Sequence, residues 1–298
     1  MFAKPTRALT ASRRTPADPN AAPAAARRIW MRTFAVVSLT AVLAACGTMR
    51  SASTPPPAAA KELAPSGKLR AAINFGNPIL ATKDAATGEP RGVSVDLARE
   101  LGKRLGVPVE LVTYTAAGKV VEGVKSNEWD IAFVAIDPKR GAEMDQTNPY
   151  VIIEGAYLVP QASPIKRNED VDKKGTRIVV GAGSAYDLYL TREIKNAQLV
   201  RAPTSPLVVD TMLKESMEVA AGVKQQLEAD ARRIPGLRLL DGRFMVINQA
   251  MATPKGRPTG AKYLNDFVEE MKASGFVADA LKRHRVQGAA IAPPGSAS

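Results

Sequence analysis

The sequence predicts an α/β protein with two lobes, each a mostly parallel sheet flanked by helices. Between residues 67 and 286, short runs rich in Val, Ile and Leu alternate with segments of helical periodicity. Nearly continuous apolar runs are typical of parallel strands that are covered on both faces. Apolar, extended segments at 150–159 and 243–252 flank the second series of strands and helices. The pattern therefore predicts that the chain crosses from one lobe to the other and later returns.

The first series predicts three strands and two helices. The strands are expected at 69–73, 109–114 and 131–136. Ser94 is a residue type that caps helix N-termini, and the leucines that follow it recur every four residues. Gly106 is expected to end this first helix, and the second helix precedes the third strand.

The second series predicts strands and helices in alternation, with strands at 176–180, 198–200, 218–221 and 237–240 and helices at 184–194, 205–214 and 223–232. Two more helices, at 259–273 and 276–283, have no strand between them, so we expect them to pack on the first lobe. Lobe 1 would then comprise 67–155 and 250–287, and lobe 2 would comprise 156–249. The cleft between two such lobes is the expected binding site.

The N-terminal 45 residues have the features of a secretory signal. Basic residues precede an uncharged apolar run at 33–45, which is too short to span a bilayer as a mature helix. The run ends in Leu43-Ala44-Ala45-Cys46, which resembles the lipobox of bacterial lipoproteins, whose cysteine is acylated. Residues 1–45 are therefore predicted to be a lipoprotein signal segment with Cys46 as the lipidation site. A buried free cysteine after a coincidental apolar run is the alternative.

Two further segments are predicted to lack a fold of their own. Residues 46–66 are rich in Ala, Pro and Ser, which is typical of a flexible tether. Residues 288–298 have a similar composition and are predicted to be a disordered tail.

The composition argues against several classes of function. The chain has one cysteine and one histidine, so it has no intrachain disulfide and no Cys- or His-rich metal site, and no metal or organic cofactor is indicated. His284 lies among basic residues, which favours a solvated helix face. Half of the net charge of +12 lies in residues 1–45, and no long run of basic residues follows. Nucleic-acid binding is therefore disfavoured.

Arg140 is the main candidate for a ligand contact. The predicted strand Ile131–Ile136 is followed by Asp137-Pro138-Lys139-Arg140, which places Ala135, Asp137 and Arg140 at its carboxyl end. Ligands of open α/β sheets bind at this edge, and a guanidinium suits a carboxylate bidentately. The sequence thus predicts a carboxylate site at Arg140. A surface salt bridge is the alternative.

The segment Gly183-Ser184-Ala185 is a second candidate, because it joins a predicted strand to a predicted helix. Amide groups at that helix N-terminus would face the other side of an anion. Tyr186 stands where a dinucleotide fingerprint has its third glycine, and the residues around Ser184 do not form a nucleophile elbow. An ordinary turn with an N-cap serine is the alternative.

The order of several short motifs resembles that of family 3 of the extracellular solute-binding proteins, which serve amino-acid ABC transporters. The motifs are Gly92–Ala98, Trp129-Asp130, Asp137–Arg140, Asn148–Tyr150, Val180–Ser184, Thr253–Gly256 and Ala273–Phe276. The resemblance implies a periplasmic binding protein-like fold that closes over a small solute, an amino acid or a small organic acid. It also implies a monomer without catalytic activity that delivers its solute to a membrane permease, here from a lipid anchor at Cys46 on the periplasmic side of the envelope.

The sequence departs from the family where the amino group of a ligand would be held. Counting from Glu218, the position of the usual acid is Val223, and the aromatic residues usual near Asn77 and Ala117 are missing. Additional polar candidates for ligand contact are Asn74, Asn77, Tyr186, Glu154, Asn248 and Gln249. A hinge or loop role is the alternative for each of them.

Two other functions on the same scaffold are carried as hypotheses. An envelope enzyme, such as a dehydratase or a murein lyase, would need a general acid or base in the cleft, and Glu154 is the one candidate. A sensory module would present its ligand state to a partner in trans.

Overall fold

The structure is a computed structural model that describes residues 54–295. The predicted signal segment, the lipidation site at Cys46 and residues 296–298 lie outside the described residues. Within the described part of the chain, no helix is both long and apolar enough to cross a membrane.

Strands and helices alternate along the chain as the sequence predicts. The strands are β1 (Leu69–Asn74), β2 (Thr82–Lys83), β3 (Pro90–Arg91), β4 (Val109–Tyr114), β5 (Ile131–Ala135), β6 (Met144–Pro160), β7 (Arg177–Gly181), β8 (Gln198–Ala202), β9 (Val219–Val223), β10 (Leu237–Leu239), β11 (Met245–Pro254) and β12 (Ala290–Ile291). The helices are α1 (Pro57–Leu63), α2 (Val93–Leu105), α3 (Ala117–Lys125), α4 (Pro138–Gly141), α5 (Ala185–Glu193), α6 (Val208–Lys214), α7 (Lys224–Arg233), α8 (Pro258–Ala273) and α9 (Phe276–Arg283).

Ten of these strands form one sheet, and its order shows how the lobes are joined. The order is β4-β1-β5-β11-β6-β9-β7-β8, and β10 and β12 pair with β6 outside this path. β1 is parallel to β4 and β5 at one end, and β7 is parallel to β8 and β9 at the other end. The two long strands in the middle, β6 and β11, are antiparallel to each other and to their neighbours. These two strands are the predicted crossings, and the fold is the predicted two-lobed α/β architecture.

Local sequence explains most of the element boundaries in the first lobe. β5 is buried along its whole length because helices cover both faces of this part of the sheet. Gly106 ends α2 in the left-handed conformation, as expected. The start of α2 differs from the prediction, because Gly92 is the N-cap and Ser94 lies inside the helix. The Ser94 hydroxyl is buried there, 3.4 Å from the hydroxyl of Tyr150 on β6.

The predicted tether is wrong for residues 57–63, which form helix α1. Ala59 and Leu63 are fully buried, and Leu63 packs against α8, where the Gly260 amide donates to Glu62 Oε2 at 2.6 Å. An alanine-rich segment with Pro at its first helical position is compatible with a helix. The apolar face of α1 makes it part of the core rather than a linker.

The predicted disordered tail is wrong for residues 290–295. Strand β12 pairs with β6 opposite Ile152 and Val151, and Ala292 is buried. Lys272 Nζ donates to the carbonyl oxygens of Pro149 and Pro293, at 3.2 and 2.9 Å. The tail is held because a free edge of the crossing strand β6 supplies hydrogen-bond partners that its composition does not reveal.

Replacing Leu63 with alanine tests whether α1 belongs to the folded domain. We expect Leu63→Ala to lower the free energy of unfolding by about 2–5 kcal/mol, because it removes a fully buried side chain and leaves a cavity. Leu213→Ala, at a position that is 40% exposed, should change it by less than about 0.5 kcal/mol. Urea denaturation of both variants measures the difference, and equal, small effects would mean that α1 is a tether after all.

Candidate ligand-binding site

Arg140 lies inside the protein rather than on its surface. The chain leaves β5 and turns at Asp137, whose carboxylate accepts a hydrogen bond from the Lys139 amide at 2.9 Å and caps α4. Pro138 begins the short helix, as its fixed φ angle favours. This turn directs Arg140 back toward the end of the strand, and the residue is 2% exposed. The alternative of a surface salt bridge is therefore wrong.

The guanidinium of Arg140 connects the two lobes. One terminal nitrogen, Nη1, donates to the carbonyl oxygen of Ala135 at 3.0 Å, in the first lobe. The other, Nη2, donates to the carbonyl oxygen of Gly183 at 2.9 Å, in the second lobe. The lobes also meet where Gly183 lies against Gly118, since a Cβ on Gly183 would stand 2.7 Å from the Gly118 Cα. Small residues at this contact allow the two backbones to approach.

The positive charge of Arg140 has no carboxylate partner among residues 54–295. The four buried carboxylates of these residues each pair with an arginine: Asp130 with Arg70 and Arg257, Asp137 with Arg192, Asp187 with Arg201, and Asp230 with Arg233. Arg140 forms no such pair, and its Nε is buried without a hydrogen-bond partner in the described part of the chain. Burial lowers the pKa of Arg140 to about 10, against a smaller opposing effect of Asp137. A buried cation without a direct carboxylate partner is electrostatically unfavourable in the ligand-free protein.

A cavity of about 40 Å³ adjoins the guanidinium, and residues of both lobes line it. Eight of the twelve predicted ligand contacts line this cavity: Asn74, Asn77, Ala135, Arg140, Ser184, Ala185, Tyr186 and Gln249. Gly183 contributes its carbonyl oxygen to Arg140, as described above. The sequence therefore predicted eight of the fifteen residues that line this cavity.

The loop Gly183-Ser184-Ala185 is a turn with an N-cap serine, and it also lies at the cavity. Ser184 is the N-cap of α5 and accepts a hydrogen bond from the Asp187 amide at 3.0 Å. The Gly183 amide donates to Asp187 Oδ2 at 2.8 Å, and the Ser184 amide donates to the Gly181 carbonyl. These amides already have partners, so the loop places Ala185 and Tyr186 at the cavity but does not aim those N–H groups at an anion. Burial raises the pKa of Tyr186, so the phenol stays protonated.

Glu154 and Asp137 do not line the cavity, which corrects both predictions. Glu154 Oε2 lies 3.2 Å from Lys224 Nζ, and Oε1 lies 2.6 Å from Arg243 Nη1. Hydrogen bonds from these cations hold the pKa of Glu154 below its ordinary value. Glu154 is therefore an ionised partner in a salt bridge on the crossing strand. Asp137 serves as a helix cap and pairs with Arg192.

Several residues that line the cavity were not predicted from the sequence, and two others are the positions where the family resemblance showed an expected residue to be missing. Phe133, Val134, Ser205 and Ile247 line the cavity but carry no motif that separates them from core residues. Val223 and Ala117 line it as well. These are the positions where the expected acid and the expected aromatic residue are missing. Gln249, on β11, completes this part of the wall.

The profile of the bacterial extracellular solute-binding proteins, family 3, matches residues 69–286. The chain belongs to this family. The match covers both lobes and every cavity-lining residue.

Three similar proteins place this solute-binding protein among its relatives. The L-cystine-binding protein TcyJ of Escherichia coli K12 is 23% identical over 198 residues, which cover 63% of this chain and 71% of that protein. A binding component of an ABC transporter of Wolinella succinogenes, solved in complex with lysine, is 25% identical with a TM-score of 0.64, covering 73% of this chain and 95% of that one. The ancestral amino acid-binding protein AncCDT-1, a precursor of cyclohexadienyl dehydratase, is 21% identical with a TM-score of 0.64, covering 75% and 98%.

Replacing Arg140 with methionine tests whether its charge lacks a partner. We expect the ligand-free Arg140→Met protein to be at least as stable as the wild type, because an apolar side chain of similar volume removes an uncompensated buried charge. Arg104→Met is the matched control. Arg104 is 11% exposed and pairs with both carboxylate oxygens of Glu270, so its loss should cost about 2–4 kcal/mol.

Urea denaturation after ligand has been removed by unfolding and refolding gives both free energies. A loss at Arg140 as large as that at Arg104 would mean that a carboxylate partner of Arg140 exists within the protein.

Proposed function

We propose that this solute-binding protein is the substrate-binding component of an ABC importer, and that it captures a small solute through a carboxylate bound to Arg140. One observation carries the proposal, namely the buried guanidinium of Arg140, which has no carboxylate partner among the described residues. Its Nε is directed to no acceptor, and its two Nη atoms reach only backbone carbonyl oxygens.

A bound carboxylate would supply the missing negative charge. Taking a cation out of water costs several kcal/mol, and an anion in good geometry repays this cost. Each charge-assisted hydrogen bond to a desolvated guanidinium contributes about 1.5–3 kcal/mol. An unpaired cation in the cleft thus favours an anionic ligand over a neutral one.

The position of Arg140 also couples binding to closure of the lobes. The side chain is anchored in the first lobe, and one of its hydrogen bonds crosses to Gly183 in the second lobe. A carboxylate bound at this junction would contact groups of both lobes at once, so it would favour the closed arrangement over an open one. A permease that recognises the closed arrangement would then receive only loaded protein.

The relatives support this class of solute. TcyJ is an L-cystine-binding protein, and the protein of Wolinella succinogenes was solved with lysine. Cystine and lysine both carry a carboxylate. We propose that this chain acts as a monomer that delivers an amino acid or a small organic acid to the membrane permease of an ABC transporter.

Binding without turnover is the better proposal for this chain. AncCDT-1, which has a similar fold, is a precursor of a dehydratase, so an enzyme on this fold is a hypothesis to consider. In this chain the candidate acid of that hypothesis, Glu154, pairs with two cations outside the cavity. Recovery of the bound solute in unchanged form after prolonged incubation would support the binding role, and a new product would contradict it.

The same proposal places the protein on the periplasmic side of the cell envelope. Residues 1–45 would direct export, and a lipid on Cys46 would anchor the mature protein to a membrane.

Carboxylate binding is tested by calorimetric titration with amino acids and small organic acids. We expect at least one of these carboxylates to bind, and Arg140→Ala to weaken that binding by about 2–5 kcal/mol, because the guanidinium is its main charged contact. Arg177→Ala is the control, since Arg177 pairs with Glu218 outside the cavity, and its affinity should stay within about 0.5 kcal/mol of the wild type. Equal affinity of the Arg140→Ala and wild-type proteins would show that Arg140 is not the anchor.

Lipidation is tested by labelling cells with radioactive palmitate. The wild-type chain should incorporate label and partition into detergent, because an acyl chain transfers a large apolar area to the membrane. Cys46→Ala should remain unlabelled and partition into the aqueous phase. Label in the Cys46→Ala protein would contradict the assignment of this cysteine.

A further inference from the structure

We infer that the ligand is a small carboxylic acid without an ammonium group. This inference rests on the proposed function, and it narrows the substrate class of the same cavity. The candidate ligands are short carboxylates whose second carbon carries hydrogen, a hydroxyl or a keto oxygen, in place of the amino group of an amino acid.

The charges around the cavity carry the argument. Arg140 is the one charged side chain among the described residues that line it. A carboxylate alone neutralises Arg140 and leaves the closed cavity without net charge. An amino acid brings the same carboxylate together with an ammonium, so one positive charge would remain without an acidic partner among the lining residues. Enclosing an unpaired charge is strongly unfavourable.

Acids elsewhere in the described chain are not available to receive an ammonium. The four buried carboxylates each have an arginine partner, as described for the site. Glu154 has two cationic partners. The nearest acid to the α5 N-terminus, Asp187, also accepts the Gly183 amide at 2.8 Å. Recruiting any of them would break an existing ion pair.

The wall of the cavity supports the same conclusion. Phe133, Val134, Ala185, Val223 and Ile247 are the larger apolar residues among those that line it. Val223 is the last residue of β9 and lies at the cavity. Its apolar side chain makes no capping hydrogen bond to helix α7, which begins at the next residue. An apolar residue at this point favours a carbon chain over a charged group.

The neutral polar groups of the cavity suit a hydroxyl better than an ammonium. An ammonium has three donors that need acceptors, whereas a hydroxyl needs one. Asn77 Oδ1 is buried without a hydrogen-bond partner within residues 54–295. Asn74 Oδ1 already accepts the Gly76 amide at 2.9 Å. The Tyr186 hydroxyl is a second buried polar atom without a hydrogen-bond partner in these residues. Two such oxygens suffice for a hydroxyl but are fewer than the three acceptors that an ammonium needs.

The volume of the cavity favours a ligand of few carbon atoms. At about 40 Å³, it is far smaller than the roughly 300–1,000 Å³ of pockets for drug-sized ligands. Short-chain acids therefore fit better than long amino acids such as lysine.

The test compares matched acids that differ only at the second carbon. The probes are acetate, glycolate and glycine, then propanoate, 2-hydroxypropanoate and alanine, then butanoate, 2-hydroxybutanoate and 2-aminobutanoate. Each is titrated calorimetrically, up to millimolar concentration, into the full-length protein carrying Cys46→Ala. We expect an amine-free acid to bind at least about tenfold more tightly than the amino acid of the same length.

Val223→Asp provides the reciprocal experiment. Aspartate is acceptable at the start of α7, because Val223 is its N-cap residue. The new carboxylate should raise affinity for the amino acids about tenfold and lower affinity for the amine-free acids. Val223→Asn is the matched control with nearly the same shape and no charge, and it should give no such gain. Thermal melting establishes that both variants are folded.

The outcomes separate this inference from the proposed function. If amino acids bind the wild type as tightly as their amine-free partners, and Arg140→Ala abolishes that binding, the inference is overturned and the proposed function stands. If no carboxylate of either kind binds at millimolar concentration, both fail. A folded Val223→Asp protein that gains no affinity for amino acids would also overturn the inference.

Discussion

The buried guanidinium of Arg140, which forms no salt bridge with a carboxylate among the described residues, is the constraint on which the proposed function depends. Elsewhere in the described residues, burial of a carboxylate is matched by an arginine, as for Asp130 with Arg70 and Arg257. At the junction of the lobes, the guanidinium of Arg140 forms no salt bridge with a described carboxylate and donates to backbone carbonyl oxygens instead. Incomplete matching costs stability in the ligand-free protein. In the proposed function, the same cost would be recovered as binding energy when an anion from outside completes the pair.

The sheet explains why this charge lies between two lobes and not within one. Strands β6 and β11 run side by side through the middle of the sheet, with parallel strands on either side of them. The first-lobe strand β5 delivers Arg140 to one edge of the gap, and the loop after β7 delivers Gly183 to the other. The two crossing strands therefore carry the chain between the lobes directly beside the gap.

Segments outside the motifs were the hardest to predict. Helix α1 and strand β12 come from stretches whose composition is typical of linkers, yet both are held by surfaces that other parts of the chain provide. Leu63 is buried because α8 offers a groove beside Gly260, and Ala290 and Ile291 pair because β6 has a free edge. Neither partner surface is visible in the local sequence. Glu154 was misjudged for a similar reason, since its cationic partners Lys224 and Arg243 are about 70 and 89 positions away along the chain.

The sequence by itself determined the alternation of strands and helices, the two crossings and the strand ends that carry Arg140 and Ser184. It did so because apolar periodicity, glycines and capping residues act within a few positions along the chain. The family resemblance, and not the local pattern, drew attention to Val223 as the position where the usual acid is missing. The tertiary structure alone decided that Arg140 is buried, that the four buried carboxylates already have partners, and that Val223 and Phe133 share a wall with it. Pairing and burial depend on segments that are distant in the chain, and only folding brings these segments together.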